Sequence, residues 1–278
     1  DATLERSGGL HSCMTRVFIL ATVRKPELAP YAELVFKSLR IGFPHAEVKV
    51  SLNGGAVGQL EQVTDLAQNV GCMVAPLAHQ MKHHEWIEDL ITTQNEPFWI
   101  LDTDVIFYGP VEHWKFETPM AGALIPEFAC PFLKAVTRSR LHTSLLWIDP
   151  AELRAAAYNY RKKHPDTIYN PPADLVYPLY MPLNGRTVFY DTLSMMYHAI
   201  GGTAFNAQEK NAYFHFHFGS FSDLVLPWFD KSIESARLEI LTHPQNGIGM
   251  WRAQEEYFQS RQFVQNATDV IAPIVPKD

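Results

Sequence analysis

The chain has 278 residues, 47% of them hydrophobic and 19% charged, and its 23 Lys and Arg stand against 30 Asp and Glu for a formal net charge of −7. That length suffices for a sizeable core, and an acidic balance without a Lys/Arg-rich block argues against nucleic acid as a partner. No apolar stretch reaches the roughly 18 residues of a membrane span. The three cysteines, Cys13, Cys72 and Cys130, form no CxxC pair, which points to a reducing, cytoplasmic protein, soluble or peripheral to the membrane.

Residues 1–13 read as a polar tail without the apolar centre of a secretion signal, and residues 14–278 as one continuous domain. Residues 16–23 are a buried strand, followed by a helix over 27–41 with Leu28, Tyr31, Val35 and Leu39 on roughly one face. A strand over 47–52 stops at Asn53-Gly54-Gly55; a helix over 59–70, a short strand over 72–75 and a helix over 82–93 follow. The series ends in Pro97-Phe98-Trp99-Ile100-Leu101, an apolar strand leading straight into Asp102-Thr103-Asp104. Such alternation predicts an α/β fold with a mostly parallel sheet flanked by helices, whose ligands sit at the carboxyl ends of the strands.

The second half is less regular. Strands are expected over 121–126 and 143–148, a helix over 150–163, a proline-rich irregular loop over 165–182, a helix over 187–200, a strand over 213–218 and a closing amphipathic helix over 250–267. The aromatic C-terminal segment, with Trp228, Phe229, Trp251 and Tyr257, is read first as core and second as a homodimer contact or a membrane-facing surface.

Two features carry chemistry. Asp102 and Asp104, two residues apart where a buried strand leaves the sheet, can converge on one hard divalent cation, which shares oxygen ligands with phosphates. They interrupt an apolar run that resumes at Val105-Ile106-Phe107, an unfavourable place for carboxylates that serve no purpose. In Phe214-His215-Phe216-His217-Phe218-Gly219, strand alternation delivers His215 and His217 to the same side, and either imidazole suits an ion such as Mn²⁺, with His217 favoured. His83-His84 reads as a solvated pair, and Asp191 as a first-turn residue of the 187–200 helix.

These segments together resemble the metal-dependent GT-A glycosyltransferases, most closely the family 8 type. Phe98 to Pro110 is similar to the DxD strand and its turn, and His142-Thr143-Ser144-Leu145-Leu146-Trp147-Ile148-Asp149 to the family's Asn-Ser-Gly strand. Phe189-Tyr190-Asp191-Thr192-Leu193-Ser194 resembles the Asp-Gln-Asp-x-Leu-Asn segment, and residues 215–219 the His-x-x-Gly metal segment. The resemblance implies a GT-A fold and an enzyme that moves a sugar from a nucleotide-diphosphate sugar to an acceptor hydroxyl in polysaccharide or glycoconjugate synthesis, the acceptor being a sugar, a lipid-linked glycan or a protein. It implies that Asp102, Asp104 and His215 or His217 hold Mn²⁺ or Mg²⁺, that Ala21, Thr22, Val23 and Arg24 lie near the nucleotide, that Thr103, His142 and Thr143 contact substrate, and that Asp191 faces the sugar or acceptor.

Departures from the family pattern bear on stereochemistry. His142 replaces its Asn, Phe189-Tyr190 replace its Asp-Gln, and His217 precedes Gly219 by two residues where the family has three. Retention and inversion both stay open, the latter with Asp191 as general base. A haloacid-dehalogenase-type phosphohydrolase using the DxD and a non-catalytic sugar-binding relative are the alternatives.

Overall fold

The computed structural model describes residues 14–23, 29–55, 57–103, 105–130, 135–183, 185–210 and 212–215. The first half runs β1 (Arg16–Val23), α1 (Ala29–Gly42), β2 (Glu47–Gly55), α2 (Val57–Asn69), β3 (Met73–Pro76), α3 (His83–Thr93) and β4 (Phe98–Leu101). Then follow β5 (Val105–Phe107), β6 (Met120–Ile125), β7 (Phe128–Cys130), β8 (Ala135–Thr137), β9 (Arg140–Ile148) and α4 (Pro150–Lys163). The described part closes with α5 (Ala173–Val176), β10 (Leu179–Leu183), β11 (Arg186–Tyr190), α6 (Ser194–Ile200), β12 (Thr203–Ala204), α7 (Ala207–Lys210) and β13 (Tyr213–His215).

Seven strands form the main sheet in the order β12-β6-β9-β4-β1-β2-β3. Neighbours β3, β2, β1 and β4 pair in parallel, β12 is parallel to β6, and β9 is antiparallel to both β4 and β6. The expected α/β fold with a mostly parallel sheet and flanking helices is therefore observed. Why β1 and β4 read as unbroken apolar runs is plain from the packing. Val17, Ile19, Trp99 and Leu101 belong to the core on the α1/α2 side, while Phe18, Leu20, Phe98 and Ile100 belong to the core beneath α3, α4 and α6. A strand covered on both faces loses its polar alternation, and each such side chain contributes roughly 1.5–3 kcal/mol on burial.

The second half departs from expectation in two places. The helix expected over 187–200 is split: Arg186–Tyr190 is a strand paired with β10, and only Ser194–Ile200 is helical. The proline-rich stretch contains α5 and β10 rather than loop alone. β10 and β11 meet as a hairpin with Leu183 opposite Arg186, and Gly185 takes φ 74, which glycine adopts without penalty; that reversal, with β-branched and aromatic residues after it, outweighs helical spacing. Elsewhere the boundaries move by a few residues, β2 running on through Asn53 to Gly55 and β9 beginning at Arg140. The continuation of the last strand beyond His215 and the helix over 250–267 lie outside the described residues. Among the described residues no helix is long and apolar enough to cross a membrane.

Candidate functional site

Parallel pairing places the carboxyl ends of β1, β2 and β4 along one edge. Ala21, buried, and Thr22, half-buried, end β1 there; Asn53, 2% exposed, sits near the end of β2; and Asp102 follows β4. Because β9 runs the opposite way, with Leu145 opposite Leu101 and Ile148 opposite Phe98, its first residues reach that same edge. The Asp102 N–H donates to the Ser144 carbonyl at 2.8 Å, stitching the acidic turn to β9. His142 and Thr143 are thereby held beside it, and the Ser144 N–H donates to His142 Nδ1 at 3.0 Å, which orients the ring.

The histidine strand comes back onto the acidic turn from the far end of the described chain. β13 pairs antiparallel with β5, His215 standing opposite Val105, the second residue after Thr103. The His215 and His142 rings lie 4.5 Å apart between centroids. Asp102, Thr103, His142, Thr143 and His215 are thus gathered at one edge together with Ala21 and Thr22. Arg24, Asp104 and His217 lie outside the described residues, as does the side chain of Val23.

His83 was expected to be solvated; instead its ring stacks on Trp86, with centroids 6.1 Å apart, and its Nε2 stands 3.7 Å from Asp102 Oδ1. The sequence contains a faint signal for this, a histidine at the first turn of a helix whose i+3 neighbour is an aromatic. His84 packs against Tyr177, which follows α5, with ring centroids 4.6 Å apart, and desolvation lowers its pKa, opposed by the charges of Glu85 and Asp191. Asp191, expected inside a helix, occupies the turn between β11 and α6. Its Oδ2 is 2.8 Å from Arg140 Nη2, and its Oδ1 accepts the Thr192 N–H at 2.8 Å. Two residues on, Leu193 is fully buried with φ 62, a conformation costly to a non-glycine residue, so the Asp191 turn is shaped by its surroundings rather than by local preference.

The donor types at this edge, carboxylate oxygen with imidazole nitrogen, fit a divalent ion such as Mn²⁺. Among the described residues no three His, Cys, Asp or Glu side chains form a metal-binding group; Asp104 and His217 stand outside that set.

No family model matches the chain, and no curated protein matches it. Among solved structures it is similar to the glycosyltransferase GlyE of Streptococcus pneumoniae TIGR4, at 14% identity and TM-score 0.38, over 79% of this chain and 50% of that one. It is similar to the galactosyltransferase LgtC in complex with donor and acceptor sugar analogs, at 11% identity and TM-score 0.37, over 73% of this chain and 87% of that one. It is also similar to the mannosyltransferase PcManGT of Pyrobaculum calidifontis in complex with GDP-Man and Mn²⁺, at 11% identity and TM-score 0.38, over 92% and 84%. The chain spans half the length of the GlyE structure it matches. Superpositions this loose assign no activity, which is left to the residues at the sheet edge.

Proposed function

We propose that the chain is a metal-dependent glycosyltransferase that moves a sugar from a nucleotide-diphosphate sugar to an acceptor hydroxyl. The observation that carries this reading is the return of the histidine strand onto the acidic turn. Val105–Phe107, which directly follow the acidic turn, pair with Tyr213–His215, remote in sequence, and the His142 ring closes against His215. A turn after a strand needs no such imidazoles; a divalent-cation site does.

Asp102, Asp104 and His215 or His217 are the residues that would hold Mn²⁺ or Mg²⁺. When bound, the ion supplies positive charge that neutralises a diphosphate leaving group. Ala21, Thr22 and Val23, which end β1, and Arg24 after them are the residues that would contact the nucleotide, and Thr103, His142 and Thr143 those that would contact the sugar. His83 keeps the Asp102 carboxylate in place from the side of α3.

Asp191 is the candidate general base. Arg140 and the Thr192 N–H each engage one of its oxygens, and each oxygen keeps lone pairs to accept the hydrogen of an acceptor hydroxyl. In the proposed step the acceptor oxygen bonds to the anomeric carbon, the bond from that carbon to the diphosphate breaks, and the hydroxyl proton passes to Asp191. The acceptor is a hydroxyl on a sugar, a lipid-linked glycan or a protein.

The test is a thermal-shift screen of nucleoside diphosphates and nucleotide sugars with and without Mn²⁺, since a ligand that binds only the folded chain raises its stability. A shift requiring both metal and one nucleotide supports the proposal and identifies the base. A response to metal with inorganic phosphate, and to no nucleotide, overturns it in favour of a phosphohydrolase.

A further inference from the structure

Asn53 is 2% exposed and lies at neither the acidic turn nor the histidines, yet all its side-chain atoms are engaged across the edge of the sheet. Its Oδ1 accepts the Met81 N–H at 2.8 Å, while its Nδ2 donates to the Met81 carbonyl at 2.8 Å and to Thr22 Oγ1 at 3.2 Å. One amide thus grips both backbone groups of Met81 and the last polar side chain of β1. Between Leu77, whose N–H donates to the Leu52 carbonyl at 3.0 Å, and Met81, which packs against the core beneath α3, the residues Ala78, His79 and Gln80 are exposed, and α3 begins two residues after Met81. At that start the Lys82 N–H donates to Glu85 Oε2 at 2.8 Å, which caps the helix without fixing where it enters the site. His83, in the first turn, faces Asp102.

We propose that Asn53 is a positioning residue: by clamping Met81 it sets the entry of α3, and so the place of His83 beside Asp102, in register with Thr22 on the nucleotide side of the site. This deepens the glycosyltransferase reading and rests on it for the identity of the ligand, but the clamp itself does not.

No other residue type does this with the same atoms. A two-way grip on one peptide unit needs an acceptor and a donor on a planar group, so only an amide side chain serves, and Gln would push the group a methylene further. Asn53→Asp keeps the shape and the bond to the Met81 N–H, but sets a carboxylate oxygen against the Met81 carbonyl. Buried polar groups forced into such opposition give way by moving the softer partner, here Met81 and the exposed residues 78–80 before it.

Two measurements test this. In the wild-type chain, hydrogen exchange at the Met81 amide is expected to be as slow as in β2, whereas His79 and Gln80 exchange quickly. Exchange at Met81 as fast as at its neighbours overturns the clamp, and this result needs neither a variant nor a ligand. The second is a double-mutant cycle of Asn53→Asp and His83→Gln, reading affinity for the nucleoside diphosphate identified in the screen, with Mn²⁺ present. Each single change is expected to weaken binding about tenfold, and the pair no more than about twofold beyond the weaker single, because both act on one group. Full additivity, or an Asn53→Asp variant that binds like the wild type, overturns the positioning role. If no nucleotide binds the wild type, the glycosyltransferase reading fails while the exchange measurement still decides the clamp.

Discussion

The two halves of the main sheet are built on different principles, and they meet at the acidic turn. In residues 16–101 all four strands are parallel, β2 and then β3 lying on one side of β1 with helices α1 and α2 crossing over between them, and β4 on the other side of β1. Beyond Asp102 the main sheet is completed by β9, antiparallel to β4, and by β12 against β6; β13 returns to β5 beside it, and sequence neighbours pair in the small sheet, β7 with β8 and β10 with β11. The first half supplies the edge and one carboxylate; the second brings the imidazoles of His142 and His215 to it. A scaffold can be specified locally, whereas convergence of distant segments depends on loop closures that leave little local trace.

The largest effect expected from breaking this meeting point is on chemistry. Asp102→Asn keeps shape and the backbone bond to Ser144 while removing the charge. Release of nucleoside diphosphate from the nucleotide sugar should fall by about a thousandfold, the scale seen when one preorganised stabilising group is lost. Because Asp102 is half-buried at an edge, the melting temperature should hardly change. Turnover equal to the wild type would remove Asp102 from the machinery.

For the scaffold the test is stability. Trp99, 1% exposed, touches Phe43, Trp114, Phe116 and Phe205, and so joins helix α1 to the segments that follow β5. Trp99→Ala should cost about 3–5 kcal/mol in urea unfolding. Leu179 on β10, 42% exposed, offers the contrast: Leu179→Ala should stay within about 0.5 kcal/mol. Equal costs at the two positions would mean that the β10 hairpin is as much part of the core as β4.

A smaller effect is expected at the seam between α1 and β5. A Cβ on Gly42 would lie 2.5 Å from the Phe107 ring, closer than any real contact. Gly42→Ala must move a buried aromatic that also packs on Phe43, and the cost should be about 1–3 kcal/mol. Since β5 carries β13, the same variant should loosen the His215 pairing, visible as faster exchange of the 213–215 amides with β2 unchanged.

What could be read from residues alone follows the same division. The boundaries of β1, α3, β4 and α4 were legible because a doubly covered strand is apolar throughout and because Asp149, whose carboxylate accepts the Glu152 N–H at 3.0 Å, caps α4 where Pro150 starts it. Asp102 stood out as a charge ending such a strand. The split of 187–200 into strand, turn and helix was missed because Met195, Met196 and Tyr197 prolong a helical spacing back into residues that pair with β10. His83 and Asn53 were missed for a different reason: each matters through a partner on another element, Asp102 in one case and Met81 in the other, and neither spacing nor composition encodes that.

His84 carries the smallest expected effect and sharpens the comparison furthest, because it joins the halves through a ring contact of its own. It sits on α3 of the first half and packs on Tyr177 of the second. Desolvation lowers its pKa below the usual 6.5, so the unfolded chain takes up a proton at a higher pH than the folded one does. Its contribution to stability is therefore intact above about pH 6.5 and is lost as the pH falls through the lowered value. Between pH 7.5 and 5.5 the wild type should lose about a degree or two more of melting temperature than His84→Gln, a shift proportionate to one partly exposed group in a chain of this size. If the two lose stability in parallel, the α3–α5 contact does not feel the charge of His84, and the halves are joined there by apolar packing alone.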